Sequence, residues 1–294
     1  MFVKKDLRKI RDIISDGQKA IEENDEDKFL KDLRLGRRPE FKGNVRILCQ
    51  PQNAPSLKHL ESLSLYDCKI ESLDGIGTLD CCPNLATLNV GRNPLLQLPE
   101  ELGKLKGSLK ELILDDCDLT GPVPKCVLKL ENLEILRMSQ NKITILPAEI
   151  CQLSKLQTLC LDRNQLSSVP EELQDLTDLK TLLLRHNHIE ELPEGVPGVA
   201  MLNLSLLHIS SNRLTKLPDS LVLCSSLTHI YANSNQLKEI PYGMESLSNL
   251  QRLNLSHNQI EYLPTDFRDA FGNPDAKSPD GVCLGGKVSE VCLV

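Results

Sequence analysis

Leu156-Gln157-Thr158-Leu159-Cys160-Leu161-Asp162-Arg163-Asn164-Gln165-Leu166-Ser167-Ser168-Val169-Pro170 is the stretch whose reading decides the fold. Leu159 and Leu161 alternate with the period of a strand, so they share one face while Thr158, Cys160 and Asp162 take the other. After the strand the chain must turn inward, burying backbone groups that need partners. Asn164 stands there, a side chain that both donates and accepts. Pro170 has no N–H and ends regular pairing; the segment from Glu171 to Leu176 should return as a short helix or 3₁₀ turn.

The same pattern recurs along the chain. Aligned on the first leucine it begins at Leu60, Leu85, Leu109, Leu133, Leu156, Leu179, Leu204, Leu227 and Leu250, in steps of 25, 24, 24, 23, 23, 25, 23 and 23 residues. Six residues after each proline another apolar position recurs: Leu105, Leu130, Leu153, Leu176, Val199, Cys224 and Leu247. Composition agrees with a core built from one repeated side chain, with 56 Leu against five Phe, four Tyr and no Trp. Asn93, Asn141, Asn164, Asn187, Asn212, Asn235 and Asn258 are expected to form a buried structural ladder along the stack. Cys68 and Cys117 take the Asn position in two of the units.

The L-x-x-L-x-L-x-x-N-x-L-x-x-L-P pattern covers about residues 57–264 and resembles the leucine-rich-repeat superfamily. Most units are similar to the intracellular Ras-group-related proteins, meaning the Ras-suppressor, Scribble-type and plant Ras-group families. Leu119-Thr120-Gly121-Pro122-Val123-Pro124 in the third unit resembles the plant-type consensus instead. The resemblance implies an α/β solenoid, a right-handed horseshoe of about nine repeats with a concave parallel sheet and a helical N-terminal cap. By the same resemblance the partner is a protein, such as a small GTPase or a phosphatase.

Three regions are expected: a helical cap over residues 1–44, the solenoid over 45–271, and a flexible or irregular C-terminal tail over 272–294. Val3, Leu7, Ile10, Ile14 and Ile21 form a stripe at helical spacing, and Phe29, Leu30 and Leu33 a second one. The first stripe can pack on the first repeat. Its five basic residues among the first eleven also leave open a peripheral membrane contact.

A net charge of −7 argues against a nucleic-acid partner, which calls for a basic face. The N-terminus lacks the uninterrupted apolar core of a secretion signal, and the eleven cysteines do not form end clusters. A cytoplasmic location with reduced thiols is therefore expected. His208, His229 and Tyr231 fall close together, but no carboxylate or thiol joins them at matching spacing. With no phosphate loop, kinase motif or nucleophile elbow, neither a cofactor nor catalysis is expected.

The outward strand positions remain as the candidate functional surface. Ile113, Ile135, Leu183, Leu206 and Tyr231 are apolar or aromatic with no reason to face water, and Arg137, Asp162, Arg185, His208 and His229 border them. An apolar centre with Arg, Tyr and a polar rim has the composition of a protein-binding hot spot. The expected function is a non-catalytic interaction module or scaffold of intracellular signalling that binds on its concave face. The alternative is a regulatory or recognition adaptor for a larger enzyme or receptor complex.

Overall fold

A computed structural model describes residues 10–37, 45, 48, 50–74, 82–261, 263, 264, 266, 267, 282–285 and 288–292. The chain divides into two compact bodies: Met1–Thr120 with Pro124–Asn141, and Gly121–Val123 with Lys142–Val294.

The first body opens with α1 (Ile10–Glu22). Ile10, Ile13, Ile14 and Ala20 are buried on one side of it, against α2 (Ala54–Leu57). The Ser56 hydroxyl donates to the Ile14 carbonyl at 2.8 Å, tying the two helices together. Val3, Leu7 and the basic residues ahead of Ile10 lie outside the described residues.

Five parallel strands follow in this body: β1 (Asp32–Arg34), β2 (Ser62–Ser64), β3 (Thr87–Asn89), β4 (Glu111–Ile113) and, further along the chain, β6 (Ile135–Arg137). Leu33, Leu63, Leu88, Leu112 and Leu136 stand in register and point into the core. β1 corrects the expectation of a helical cap through residue 44. Leu33 and Leu35 are both buried and bracket one outward residue, a strand pattern, and β1 pairs what would otherwise be the open edge of β2.

The second body carries β8 (Thr158–Cys160), β9 (Thr181–Leu183), β10 (Leu206–His208), β11 (His229–Tyr231) and β12 (Arg252–Asn254), all parallel. β5 (Thr120–Pro122) and β7 (Lys142–Ile145) make a separate two-stranded sheet, at the plant-type unit. β2, β3, β4, β6 and β8 to β12 each begin two residues after one of the nine aligned leucines, so every repeat contributes one strand.

The tail expected to be flexible or irregular contains β13 (Val282–Gly285) and β14 (Val288–Cys292), joined antiparallel. β14 continues the sheet in parallel with β12, setting Leu253 opposite Val291. The physical reason mirrors that at β1: an unpaired edge strand leaves a row of N–H and C=O groups without partners, and the hairpin supplies them.

Away from the strands the chain returns as short helices: Glu100–Gly107, α3 (Lys125–Leu128), Ala148–Gln152, Glu171–Asp175, Asp219–Leu223 and Met244–Ser246. Pro99, Pro124, Pro147, Pro170 and Pro218 each stand just before one of them in extended conformation. The sixth repeat has turns here instead. Its Val199, expected inside, is 65% exposed, while Val196 and Met201 are buried in its stead. Gly198 cannot be enlarged, because a Cβ there would meet the Gly195 carbonyl oxygen at 2.7 Å.

Candidate functional site

In the second body, register fixes which outward side chains meet. Cys160, Leu183, His208, Tyr231 and Asn254 form one row across neighbouring strands, and Thr158, Thr181, Leu206, His229 and Arg252 the row beside it. The His208 and Tyr231 rings lie 5.0 Å apart at 50°, and His229 and Tyr231 6.2 Å apart at 33°. His229 Nδ1 is 2.8 Å from the Thr228 hydroxyl. Leu183, Leu206, His208, His229 and Tyr231 thus form one half-buried apolar and aromatic patch.

Burial pushes the His208 imidazole down to about 4, and the nearby positive charge of Arg185, then His186, pushes the same way. The ring is therefore neutral at physiological pH and behaves as part of the apolar patch. Cys160, in the same row, is 4% exposed and lies beneath the surface a partner could reach. Asp162 serves the scaffold: its carboxylate accepts the Arg185 backbone N–H at 2.7 Å.

In the first body, Ile113 and Ile135 lie diagonally on adjacent strands, since Glu111 pairs with Ile135 and Ile113 with Arg137. Arg137 is clamped by Asp115, its Nε and Nη2 each donating to the same carboxylate oxygen at 2.9 Å. The other oxygen of Asp115 accepts the Ser139 N–H at 2.8 Å. Two other arginines of this body are also paired. Arg37 meets Asp67 at 2.8 Å, and Arg92 meets Asp116 at 3.6 Å with its guanidinium 5.6 Å from the Tyr66 ring.

The asparagines each connect two repeats. The Asn93 Oδ1 accepts the Cys68 and Ile70 N–H groups, both at 2.9 Å, while its Nδ2 donates to the Leu65 and Val90 carbonyls. Asn141 does the same for Cys117 and Leu119. Asn164, Asn187, Asn212, Asn235 and Asn258 accept from Ile143, Leu166, Ile189, Leu214 and Leu237 respectively. All are buried but Asn258, which is partly exposed. At the substituted positions a thiol replaces the donor: Cys68 Sγ to the Leu35 carbonyl at 2.7 Å, and Cys117 Sγ to the Val90 carbonyl at 3.4 Å. Burial drives the Cys117 thiol up to about 12.

One feature of the turn escaped sequence reasoning. The residue before each Asn or its Cys substitute has a left-handed backbone: Asp67, Arg92, Asp116, Gln140, Arg163, His186, Ser211, Ser234 and His257, with φ of 54–58°. None is glycine, so residue type carried no warning; only the fixed place before the Asn could have. Among the described residues no three His, Cys, Asp or Glu side chains gather as a metal site, and no helix is long and apolar enough to cross a membrane.

A family model described as Leucine rich repeat matches residues 107–166, 177–237 and 202–260. Leucine-rich repeats are present at these residues. Its fold is similar to that of a leucine-rich-repeat protein of Leptospira interrogans, with 30% identity, a TM-score of 0.72, and coverage of 83% of this chain and 59% of that one. It is also similar to the leucine-rich-repeat ectodomain of the membrane receptor kinase GASSHO1/SCHENGEN3 of Arabidopsis thaliana, solved with Casparian strip integrity factor 2 (27% identity, TM-score 0.66, 81% and 28% coverage). The plant peptide hormone receptor RGFR1, in complex with RGF2, shares the fold at 21% identity and a TM-score of 0.55, with 83% and 46% coverage. The chain spans less than two thirds of the length of each of these proteins. No curated protein matches it in a sequence comparison. The leucine-rich-repeat fold is that of a protein-interaction module.

Proposed function

We propose that this chain is a non-catalytic scaffold of cytoplasmic signalling that captures a protein partner on the outward face of its strands. The observation that carries this reading is the half-buried patch of Leu183, Leu206, His208, His229 and Tyr231, held on a rigid sheet. Apolar and aromatic side chains kept partly open to water lower the free energy when a partner covers them. That the GASSHO1/SCHENGEN3 ectodomain was solved with a factor bound supports a polypeptide ligand. The free thiols of Cys117, Cys126, Cys151 and Cys224 support a reducing compartment. By resemblance to the Ras-group-related families, the partner is a small GTPase or a phosphatase.

The test is affinity capture from native extract with the wild-type chain and the Leu183→Asp/Tyr231→Asp variant. Both positions are partly exposed, so the variant should keep its fold, checked by circular dichroism, and lose the captured partner. Undiminished capture would sink the reading. A second reading, a recognition or adaptor fragment of a larger receptor or enzyme system, is favoured by the plant-type unit at Leu119–Pro124 and the receptor ectodomains among the similar structures. It is distinguished by an enzyme that co-purifies and changes activity when the chain is added.

A further inference from the structure

The arginines beside the strands differ in their partners, and Arg213 of the second body meets Glu190 at 3.7 Å. In the first body, Arg37, Arg92 and Arg137 each contact a carboxylate. In the second, Arg163 and Arg185 are exposed, and among the described residues neither guanidinium has a carboxylate in ion-pair contact. The acidic side chain just before Arg163 in sequence, Asp162, accepts the Arg185 backbone N–H.

These charges are also placed together. The Arg163 N–H donates to the Arg185 carbonyl at 2.7 Å, so the two strand ends are neighbours. His186, next along, senses both charges: its imidazole is pushed down by burial first, then by Arg185 and Arg163. Arg185 follows Leu183 by two residues on the same side of the strand, a rise of roughly 7 Å. A ledge of two unpaired guanidinia therefore runs beside the Leu183–His208–Tyr231 patch, on a chain whose net charge is −7.

We infer that this ledge recognises neighbouring Asp or Glu side chains of a partner polypeptide, whose adjacent bulky apolar residue seats on the Leu183–His208–Tyr231 patch. The inference rests on the proposed concave-face function and adds the chemistry of the partner. Guanidinium forks match carboxylates in a bidentate way. The neighbouring His208 imidazole, neutral at physiological pH, adds no charge beside the ledge. Acidic flanks would steer the approach while the apolar residue supplies the buried contact.

A displayed random-peptide library, selected against the full chain, tests this. Selected peptides should be enriched in Asp or Glu next to Leu, Phe, Tyr or Trp. Against Arg163→Gln/Arg185→Gln the acidic enrichment should vanish while the apolar preference persists, and the best acidic peptide should bind about tenfold more weakly. Against Leu183→Asp/Tyr231→Asp the apolar preference should vanish. Failure to select any peptide, selection without acidic residues, or acidic enrichment unchanged by the Arg variant would overturn the inference. So would a preference for phosphoserine peptides over acidic ones on a matched array. If acidic enrichment disappears with the Arg variant but the Leu183/Tyr231 variant selects like the wild type, the ledge stands and the patch reading falls.

Discussion

Replacing Asn187 by Ala tests the bonding between repeats directly. The Asn187 Oδ1 accepts the Leu166 N–H at 3.0 Å, and its Nδ2 donates to the Leu161 and Leu184 carbonyls, both at 3.0 Å. The two carbonyls keep another partner after the change, because Asn164 Nδ2 also reaches Leu161 and Asn212 Nδ2 also reaches Leu184. The Leu166 amide is different, since its residue is fully buried and Asn187 is its acceptor. An orphaned buried donor costs roughly 1–3 kcal/mol, and each lost bond to a still-satisfied carbonyl about 0.5–1 kcal/mol. The sum is about 3 kcal/mol. With a urea dependence of about 3 kcal/mol per molar, the unfolding midpoint should fall by about 1 M. Asn187→Cys should cost less by about 0.5–1 kcal/mol, because a thiol at this position can keep one donor bond, as Cys68 and Cys117 do, while the Leu166 amide still loses its acceptor. The assay is urea unfolding followed by circular dichroism, with amide hydrogen exchange read at Leu166. A midpoint shift below roughly 0.3 M for the Ala variant, or unchanged exchange at Leu166, would refute the reasoning.

Further predictions concern His208 and Gln140. His208 titrates at about 4 when folded against an ordinary 6.5, so between those values only the unfolded chain takes up the proton. Its neutral ring costs the fold nothing above pH 6.5, and stability falls as pH drops from 6.5 toward 4. The shift amounts to about 3 kcal/mol at face value, and to about 1.5 kcal/mol once the ring's partial exposure to solvent is allowed for; His208→Asn should remove that share of the acid sensitivity in unfolding curves at pH 7 and at pH near 4.5. Gln140, exposed and left-handed at φ 57°, should tolerate Gly within about 1 kcal/mol, as relief of strain offsets added chain entropy. Gln140→Val should cost about 2 kcal/mol, because a β-branched side chain fits that backbone worst; equal thermal midpoints for the Gly and Val variants would remove the argument.

The sequence was most informative where one physical demand repeats. Leu159, Leu161, Asn164 and Pro170 each answer a local question of face, turn or helix start, and nine copies remove ambiguity. The ends were harder to read. Leu33 and Leu35 show a single alternation with no Asn or Leu-Pro after it, too short to outweigh the helical spacing of Phe29, Leu30 and Leu33. Val282 to Cys292 carries two short alternating runs around Gly285-Gly286-Lys287, but the Gly-, Asp- and Pro-rich stretch before it suggested irregular structure. In the candidate site, the outward side chains could be assigned from period alone. Which charges were already engaged could not. Asp115 and Asp162 differ from other exposed carboxylates only because register sets a neighbouring strand's N–H within reach, a long-range fact.

The asparagine bonds also have a direction. Within each body, Oδ1 takes its N–H from the repeat before, while Nδ2 serves its own strand and the one before. The buried turn amide of a repeat is therefore satisfied by the side chain of its successor. During synthesis, the Leu214 amide waits for Asn235 to leave the ribosome, and the Leu237 amide for Asn258. In a chain made from its N-terminus, each asparagine that emerges thus supplies the acceptor for the turn of the repeat just made.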